Sequence, residues 1–430
     1  MSKFQFITIG IFVVCIIAGV IAFATYKGSS GSSQLAPITI WGVLPASAFE
    51  DYVAQINNGL SQPLAITYVE KSEASFSSDF IAALARGNGP DAILIPSDLI
   101  LQHEDKLALI PYTALSQREF LDTYISEASI YISANGILAI PVVLDPLVMY
   151  WNRDLFNAAG VATYPRFWDE FSTLVPKLTA KDANGNIRQS AVALGDFTTV
   201  DNAREILGSL FLQLGNPVTQ PTQGGFVTTS LTTDAAADPT PALQFFTQFV
   251  DPTNASYSWN RGLPDSKTAF LSGTLATYFG FASELKDIRE KNPNIDFDVA
   301  PLPQVRNGGT KASYGRLYGL SIVRASPNVN AAYQTIATLT SAPYLKTLTD
   351  ALYLPNVRRD VIASGSSDPS ISIFNDAALI SKTWLDAGPD ASRQIFASMV
   401  ESITSGQKSI PRALQDESGQ YDVVLKQAMQ

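Results

Sequence analysis

Positions 6 to 24 are apolar or glycine throughout except Thr8. Such a run is close to the ~20 residues that cross a hydrocarbon core as one helix. Lys3 and the α-amino group precede it and Lys27 follows, a bias that keeps the N-terminus inside and the remaining chain outside. Residues 1–27 therefore read as a single-pass membrane anchor. A cleaved leader is the alternative, and Ala22-Phe23-Ala24 fits its cleavage pattern loosely, but the run exceeds the ~7–15 apolar residues of such leaders. Cys15 does not fit a lipid-attachment site, because Val14 stands before it and the apolar run continues past it. It reads as a small hydrophobe in lipid. Gly28-Ser29-Ser30-Gly31-Ser32-Ser33-Gln34 then predicts a flexible tether, a linker over 28–36.

The body alternates strand and helix periods. Short apolar runs over 37–42, 64–69 and 92–95 predict strands. Between them, 48–60 carries Phe49, Tyr52, Val53 and Ile56 at helical spacing, and 75–86 carries Phe76, Phe80, Ile81 and Leu84. Gly87 stops the second helix. The order β-α-β-α-β, with a wholly apolar third strand, predicts a parallel α/β sheet with right-handed crossovers. Further strands are expected over 137–143, 148–151, 297–300 and 318–323. Helices are expected over 168–178, 203–214, 241–250, 266–272, 284–291 and 328–340, and through most of 376–428. The Thr-, Gly- and Pro-rich stretch 219–241 reads as surface loop.

Composition narrows the function. At 430 residues the chain has room for two or three domains. Its formal net charge of −10 includes no basic run, which argues against nucleic acid. One Cys and one His exclude an internal disulfide, Cys-based metal clusters and two-His metal motifs. No metal and no cofactor is expected. Gly87-Asn88-Gly89-Pro90-Asp91-Ala92 imitates a dinucleotide fingerprint but follows a helix and precedes a strand, the reverse of what a pyrophosphate site needs. There is no P-loop and no G-x-S-x-G nucleophile elbow. His103 lies in the polar stretch Gln102-His103-Glu104-Asp105-Lys106 and reads as a solvated surface residue. Asp182-Ala183-Asn184-Gly185-Asn186 opens like a calcium loop, but Ala193 stands where the bidentate Glu belongs, so it reads as a hairpin turn.

What remains is a set of aromatic and carboxylate loops at strand ends, where α/β sheets place ligands. A sugar is held by stacking on rings and by hydrogen bonds to planar polar groups. Trp41 and the following Leu44-Pro45, Ser97-Asp98, Asp145, Phe197 and Trp259 fit that chemistry, as does Phe281. Asp145 interrupts an apolar strand, so it needs a partner or a wet cleft.

Several segments also share a pattern. Ala139-Ile140-Pro141, Leu147 through Val161, Tyr164 through Phe171, Ala269 through Ala276, Ala300-Pro301-Leu302-Pro303 and Ser326-Pro327-Asn328 with Ala331-Ala332-Tyr333 stand in one order. In that order they resemble the family 1 extracellular solute-binding proteins, the maltose-binding-protein-like receptors of ABC importers. The resemblance runs over about 37–425. It implies a periplasmic-binding-protein-like α/β fold, two lobes with a ligand cleft and three hinge crossings. The crossings fall near 144–146, 300–303 and 341–343. Lobe I is then 37–144 plus 302–341, and lobe II is 146–300 plus 343–430. The resemblance implies Leu44, Pro45, Ser97, Asp98, Asp145, Phe197, Phe281, Trp384 and Arg393 as ligand-binding residues, and Trp41 and Trp259 join them from the aromatic loops above. The expectation is a non-enzymatic, monomeric receptor on the extracellular or periplasmic side. It would pass a small solute, a sugar or oligosaccharide, to ABC permease subunits. An anchored carbohydrate hydrolase, with Asp98 and Asp145 as its carboxylate pair, is one alternative. A sensory or adhesion module on the same fold is the other.

Overall fold

The computed structural model describes residues 35–222, 226–306 and 309–430. The expected anchor, and the linker up to residue 34, lie outside them. Among the described residues no helix is long and apolar enough to cross a membrane.

The opening pattern folds as its periods dictate. Strand β1 (Ile38–Gly42), helix α1 (Ala46–Gly59), β2 (Ile66–Glu70), α2 (Phe76–Ala85) and β3 (Ala92–Pro96) follow in order. The strands pair in parallel as β2-β1-β3. Helix α1 buries Phe49, Tyr52 and Ile56, one face at i, i+3 and i+7, and Phe49 stacks on Tyr68 of β2 at 4.2 Å. All five residues of β3 are buried, as a central parallel strand requires.

The two strands expected over 137–143 and 148–151 are one: β4 runs from Ile140 to Asn152 straight through Asp145 and Pro146. Only Trp151 of its thirteen residues is partly exposed. The second sheet region holds β5 (Ile187–Val192), helix α3 (Ala203–Gln213), β6 (Leu275–Phe281) and β7 (Phe297–Ala300). Strand β8 (Ser313–Val323) begins five residues earlier than the pattern suggested. One hydrogen-bonded path then runs β2-β1-β3-β8-β4-β6-β5. Strand β4 is its spine. Its first half pairs with β8, and its second half pairs with β6 and β7. Between the halves, Arg316 stands opposite Asp145 and Gly315 opposite Pro146.

The stretch 219–241 is not all loop. Thr219–Pro221 and Val227–Thr229 form an antiparallel hairpin, and Val218, Val227 and Leu231 are buried. Its Thr-rich composition suits strand as well as loop. Asp182 does close a turn: its carboxylate accepts from the backbone N–H groups of Asn184 and Asn186 and from Arg188.

The segment between β7 and β8 stays on the second region. Gln304 N–H donates to Arg166 O, and Thr310 N–H to Gln213 O. The Gln213 side chain, fully buried, clamps it. Its Oε1 accepts from Trp168 Nε1 at 2.8 Å and Val305 N at 3.1 Å, and its Nε2 donates to Pro303 O and Ala312 O. Helix α4 (Ala342–Leu352), in contrast, packs on α1, and Ile125 N–H bonds Val357 O. Helix α5 (Pro369–Ile380) lies along β4 and leads into β9 (Ser381–Lys382), which pairs with the start of β8. Helices α6 (Pro389–Thr404) and α7 (Ile410–Ala428) close the chain.

Gln213→Leu leaves the Trp168 indole N–H and the Val305 backbone N–H without partners, while Pro303 O and Ala312 O keep only the Gln304 side chain. Stability should fall by about 3 kcal/mol, read from denaturant unfolding midpoints at unchanged slope.

Candidate functional site

A cavity of about 580 Å³ opens between the two sheet regions. Glu73, Ser77 and Gln102 line it from the β2–α2 and β3 side, and Glu205, Asp390 and Arg393 from α3 and α6. Arg316, from the middle of β8, reaches it where β8 pairs with β4. The walls meet at two places. Gln102 Nε2 donates to Ala387 O at 2.6 Å, and Arg204 Nη2 stands 3.6 Å from Asp98. Gly388 suits that first contact, since its φ of 117° is one that L side chains rarely adopt and a Cβ there would displace Gln102 Nε2.

Arg204 forms the floor. It sits in the first turn of α3 and is almost wholly buried. Nε donates to Ser392 Oγ at 2.7 Å, Nη1 to Glu205 at 2.7 Å, and Nη2 to Asp386. Burial opposes its charge, but Tyr314 and the carboxylates of Asp386, Glu205 and Asp98 push its pKa further up, so it stays a cation. Burial alone would raise Glu205. The Arg204 and Arg316 guanidinium groups overcome it and hold that carboxyl below its ordinary value. Glu73 goes the other way, raised by burial, with Arg316 Nη1 at 3.7 Å.

Asp145 has the partner its sequence context demanded. It accepts from Ser283 N–H at 3.0 Å and faces Arg316 across the strand pair, while burial pushes it up to about 6. Arg316 in turn covers the Phe281 ring at 4.9 Å, and Arg204 covers Trp384 at 5.1 Å and Tyr314 at 5.6 Å. Two rings expected to stack on a solute thus lie under guanidinium groups.

The other expected residues separate. Arg393 lines the cavity and donates to Phe197 O at 3.2 Å. The Phe197 ring packs edge-on to Phe246. Ser97 and Asp98 are buried below the wall, and neither side chain has a hydrogen-bond partner in the protein. Trp41 lies under the Lys71 ammonium at 4.0 Å, and Leu44 is buried with its carbonyl bonded to Tyr68. Pro45 is exposed at the start of α1. None of Trp41, Leu44 and Pro45 lines the cavity. Trp259 is a correction: it is 1% exposed, its N–H bonds Thr199 Oγ1 at 2.9 Å, and its ring belongs to the core of the second region.

His103 is a second correction. It is fully buried against Phe76 and Phe80, and Nε2 shares a hydrogen bond with Ser77 Oγ at 3.0 Å. The polar residues around it point outward from a short helical turn while the ring points in.

Sequence reasoning missed Arg204, Glu205, Gln102, Glu73, Arg316 and Asp390. A signal existed for three of them. Arg204-Glu205 opens an otherwise apolar helix, and Arg316 interrupts an apolar strand, just as Asp145 does.

Among the described residues no group of three or more His, Cys, Asp or Glu side chains is placed to hold a metal ion. A family profile described as bacterial extracellular solute-binding protein matches residues 45–346. The chain belongs to that family. It is a family of binding proteins, not of enzymes. No curated protein sequence matches this solute-binding protein. Solved structures share its fold at low identity. The cyclic α-maltosyl-1,6-maltose binding protein from Arthrobacter globiformis is 16% identical, with a TM-score of 0.72 over 91% of this chain and 100% of that one. UgpB from Mycobacterium tuberculosis, in complex with glycerophosphocholine, is 18% identical, with 0.71 over 92% and 100%. The GacH receptor of Streptomyces glaucescens, studied unliganded and with acarbose, is 19% identical, with 0.67 over 91% and 99%.

Burial pushes the His103 imidazole down to about 4, below the ordinary value of 6.5. As pH falls from 6.5 toward 4 the unfolded chain takes up a proton that the folded one refuses, so stability is lost over that window. Asp145, raised to about 6, titrates in the opposite sense over an overlapping range. The test is therefore a difference. The stability of His103→Phe relative to wild type should rise by about 3 kcal/mol from pH 7 to pH 4, measured by unfolding at each pH.

Proposed function

We propose that this solute-binding protein is the saccharide receptor of an ABC-type importer, with the body outside the membrane and Phe6–Ala24 as its anchor. The observation that carries the reading is the cavity between the two regions, walled by hydrogen-bonding side chains from both. Such a site senses closure because a solute touching both walls favours the shut state over the open one. One fold relative above is named for the maltosyl-maltose it binds, and another was solved in complex with acarbose, which supports the ligand class.

We assign the lobes from the bonds that tie each segment. Lobe I takes 37–144 and, from the middle of β8, about 317–365. Lobe II takes about 147–312 and 381–430. The crossings then fall at 144–146, at 313–316 and along α5, about a dozen residues beyond the second sequence-based position and further beyond the third. Gln213 holding 303–312 and α4 packing on α1 support this placement.

The hydrolase reading is weaker. Asp98 and Asp145 are both buried and neither lines the cavity, so they do not flank an open cleft.

A panel of linear oligosaccharides tests the receptor reading by thermal shift together with product analysis. At least one should raise the melting temperature without being cleaved. Asp390→Ala and Arg393→Ala should each weaken that binding roughly tenfold, since each removes a charge-assisted hydrogen bond at the cavity wall. Release of a shorter sugar, or no shift with any member of the panel, would overturn it.

A further inference from the structure

A second cavity, of about 520 Å³, opens behind the hinge. Residues 126–130 form one side. Residues 212–221 and 382–385 form the other. The face is fixed by strand alternation. Arg316 turns toward the cleft, so its neighbour Gly315 faces away. A Cβ on Gly315 would meet Glu127 Oε2 at 2.7 Å and Ser381 Oγ at 2.8 Å. Glu127 therefore sits on the face of β8 opposite the cleft.

Glu127 is the unusual residue. It lines this cavity, is 5% exposed, and neither carboxyl oxygen has a hydrogen-bond partner. Thr383 Oγ1, on the opposite side, is also unpartnered. Lys382 completes the polar wall and takes part in no ion pair among the described residues. Ile130, Leu212 and Trp384 supply an apolar side. Buried polar atoms without partners are rare in folded proteins and ask for an occupant.

The chemistry of the walls selects among occupants. Burial pushes the Glu127 carboxyl well above its ordinary range, toward the neutral acid, which has one O–H to donate and oxygens to accept. The Thr383 hydroxyl offers the same pair of roles. A cation would meet the Lys382 ammonium, and a carboxyl kept neutral by burial leaves no carboxylate to hold one. A neutral molecule rich in hydroxyl groups, with one apolar face, suits both walls, and the volume falls within the ~300–1,000 Å³ of small-molecule sites.

We propose that this hinge-back cavity is a second binding site, for a neutral polyhydroxylated molecule the size of a single sugar ring or cyclitol. The proposal does not rest on what the cleft binds.

The full-length protein is titrated with D-glucose, D-mannose and myo-inositol, followed by calorimetry and saturation-transfer NMR. At least one should bind with a dissociation constant near ~1 mM, as few polar contacts on a small ligand allow. Thr383→Val should weaken it roughly tenfold, and Glu127→Leu should abolish it. Glu127→Gln, which keeps a donor and an acceptor, should retain it within about threefold. Arg393→Ala, at the cleft, should leave it unchanged while weakening oligosaccharide binding, so that the two sites fail or succeed separately. Thr383→Val removes one hydroxyl and is the variant least able to disturb folding. No binding of any of the three up to ~50 mM, or binding that survives both Thr383→Val and Glu127→Leu, overturns the proposal.

Discussion

A guanidinium with almost no exposed surface constrains everything around it. Arg204 is such a group, and its charge is expensive to bury unless carboxylates and hydroxyls surround it. They come from widely separated parts of the chain. Glu205 is its neighbour on α3, Asp386 and Ser392 come from the C-terminal segment, and Asp98 comes from the turn after β3. Each of those segments must therefore be in place for the others to be tolerable. A buried ion pair adds little net stability, but removing one partner leaves a stranded charge that costs about 3–5 kcal/mol. The cluster thus specifies an arrangement more than it stabilises one. It also joins the two sheet regions at the base of the cavity, since Asp98 follows β3 and Arg204 opens α3.

The junction of the two sheet regions repeats the same logic with smaller means. Strands β4 and β8 run side by side there, and Asp145 and Arg316 face each other. A carboxylate in an apolar strand and an arginine in another would each be costly alone. Opposite each other, with Ser283 N–H on Asp145 and Phe281 under Arg316, they are accommodated. Arg316 then reaches on to Glu73 at the wall of the cavity, so the strand pair and the cavity share one side chain. The two walls meet where Gln102 bonds Ala387 and where Asp98 lies near Arg204. A solute can shift the open–closed balance only by the difference in its affinity for the two forms.

Much of this was legible in the sequence, and the limits are physical. The first five elements follow from period and punctuation, because an apolar face recurring at helical spacing has few other solutions. Asp145 declared itself by context. Strand β4 was split at Asp145-Pro146 because a charge and a proline both interrupt a run of apolar residues, yet opposite Arg316 and Gly315 both are accommodated. His103 was misplaced because sequence shows which residues are neighbours along the chain, not which way a short helical turn points them. Trp259 was misread because an aromatic in a loop can serve a core or a ligand, and only its Thr199 partner and the packing decide. Arg204 was legible in principle: a charged residue inside an apolar helix is the same signal as Asp145. Its partners were not, since Asp386 and Asp98 lie far away along the chain.

The cleft's chemistry follows from where the arginines went. Guanidinium groups cover Trp384, Tyr314 and Phe281, so stacking is already satisfied within the protein. The charged and amide groups that face the cavity include Glu205, Asp390, Arg316, Arg393, Gln102 and Glu73, set among apolar side chains with no aromatic ring among the described lining residues. On the receptor reading, affinity comes from hydrogen bonds to charged groups, each worth about 1.5–3 kcal/mol, rather than from ring stacking at about 0.5–1.5. The difference bears on selectivity. Stacking tolerates any ring with an apolar face. A carboxylate and a guanidinium set to share a hydroxyl do not tolerate its absence, because closure would strand them both without partners. A cleft built this way discriminates by the pattern of hydroxyls on its solute, and it discriminates most strongly in the closed form, where water can no longer replace the missing group.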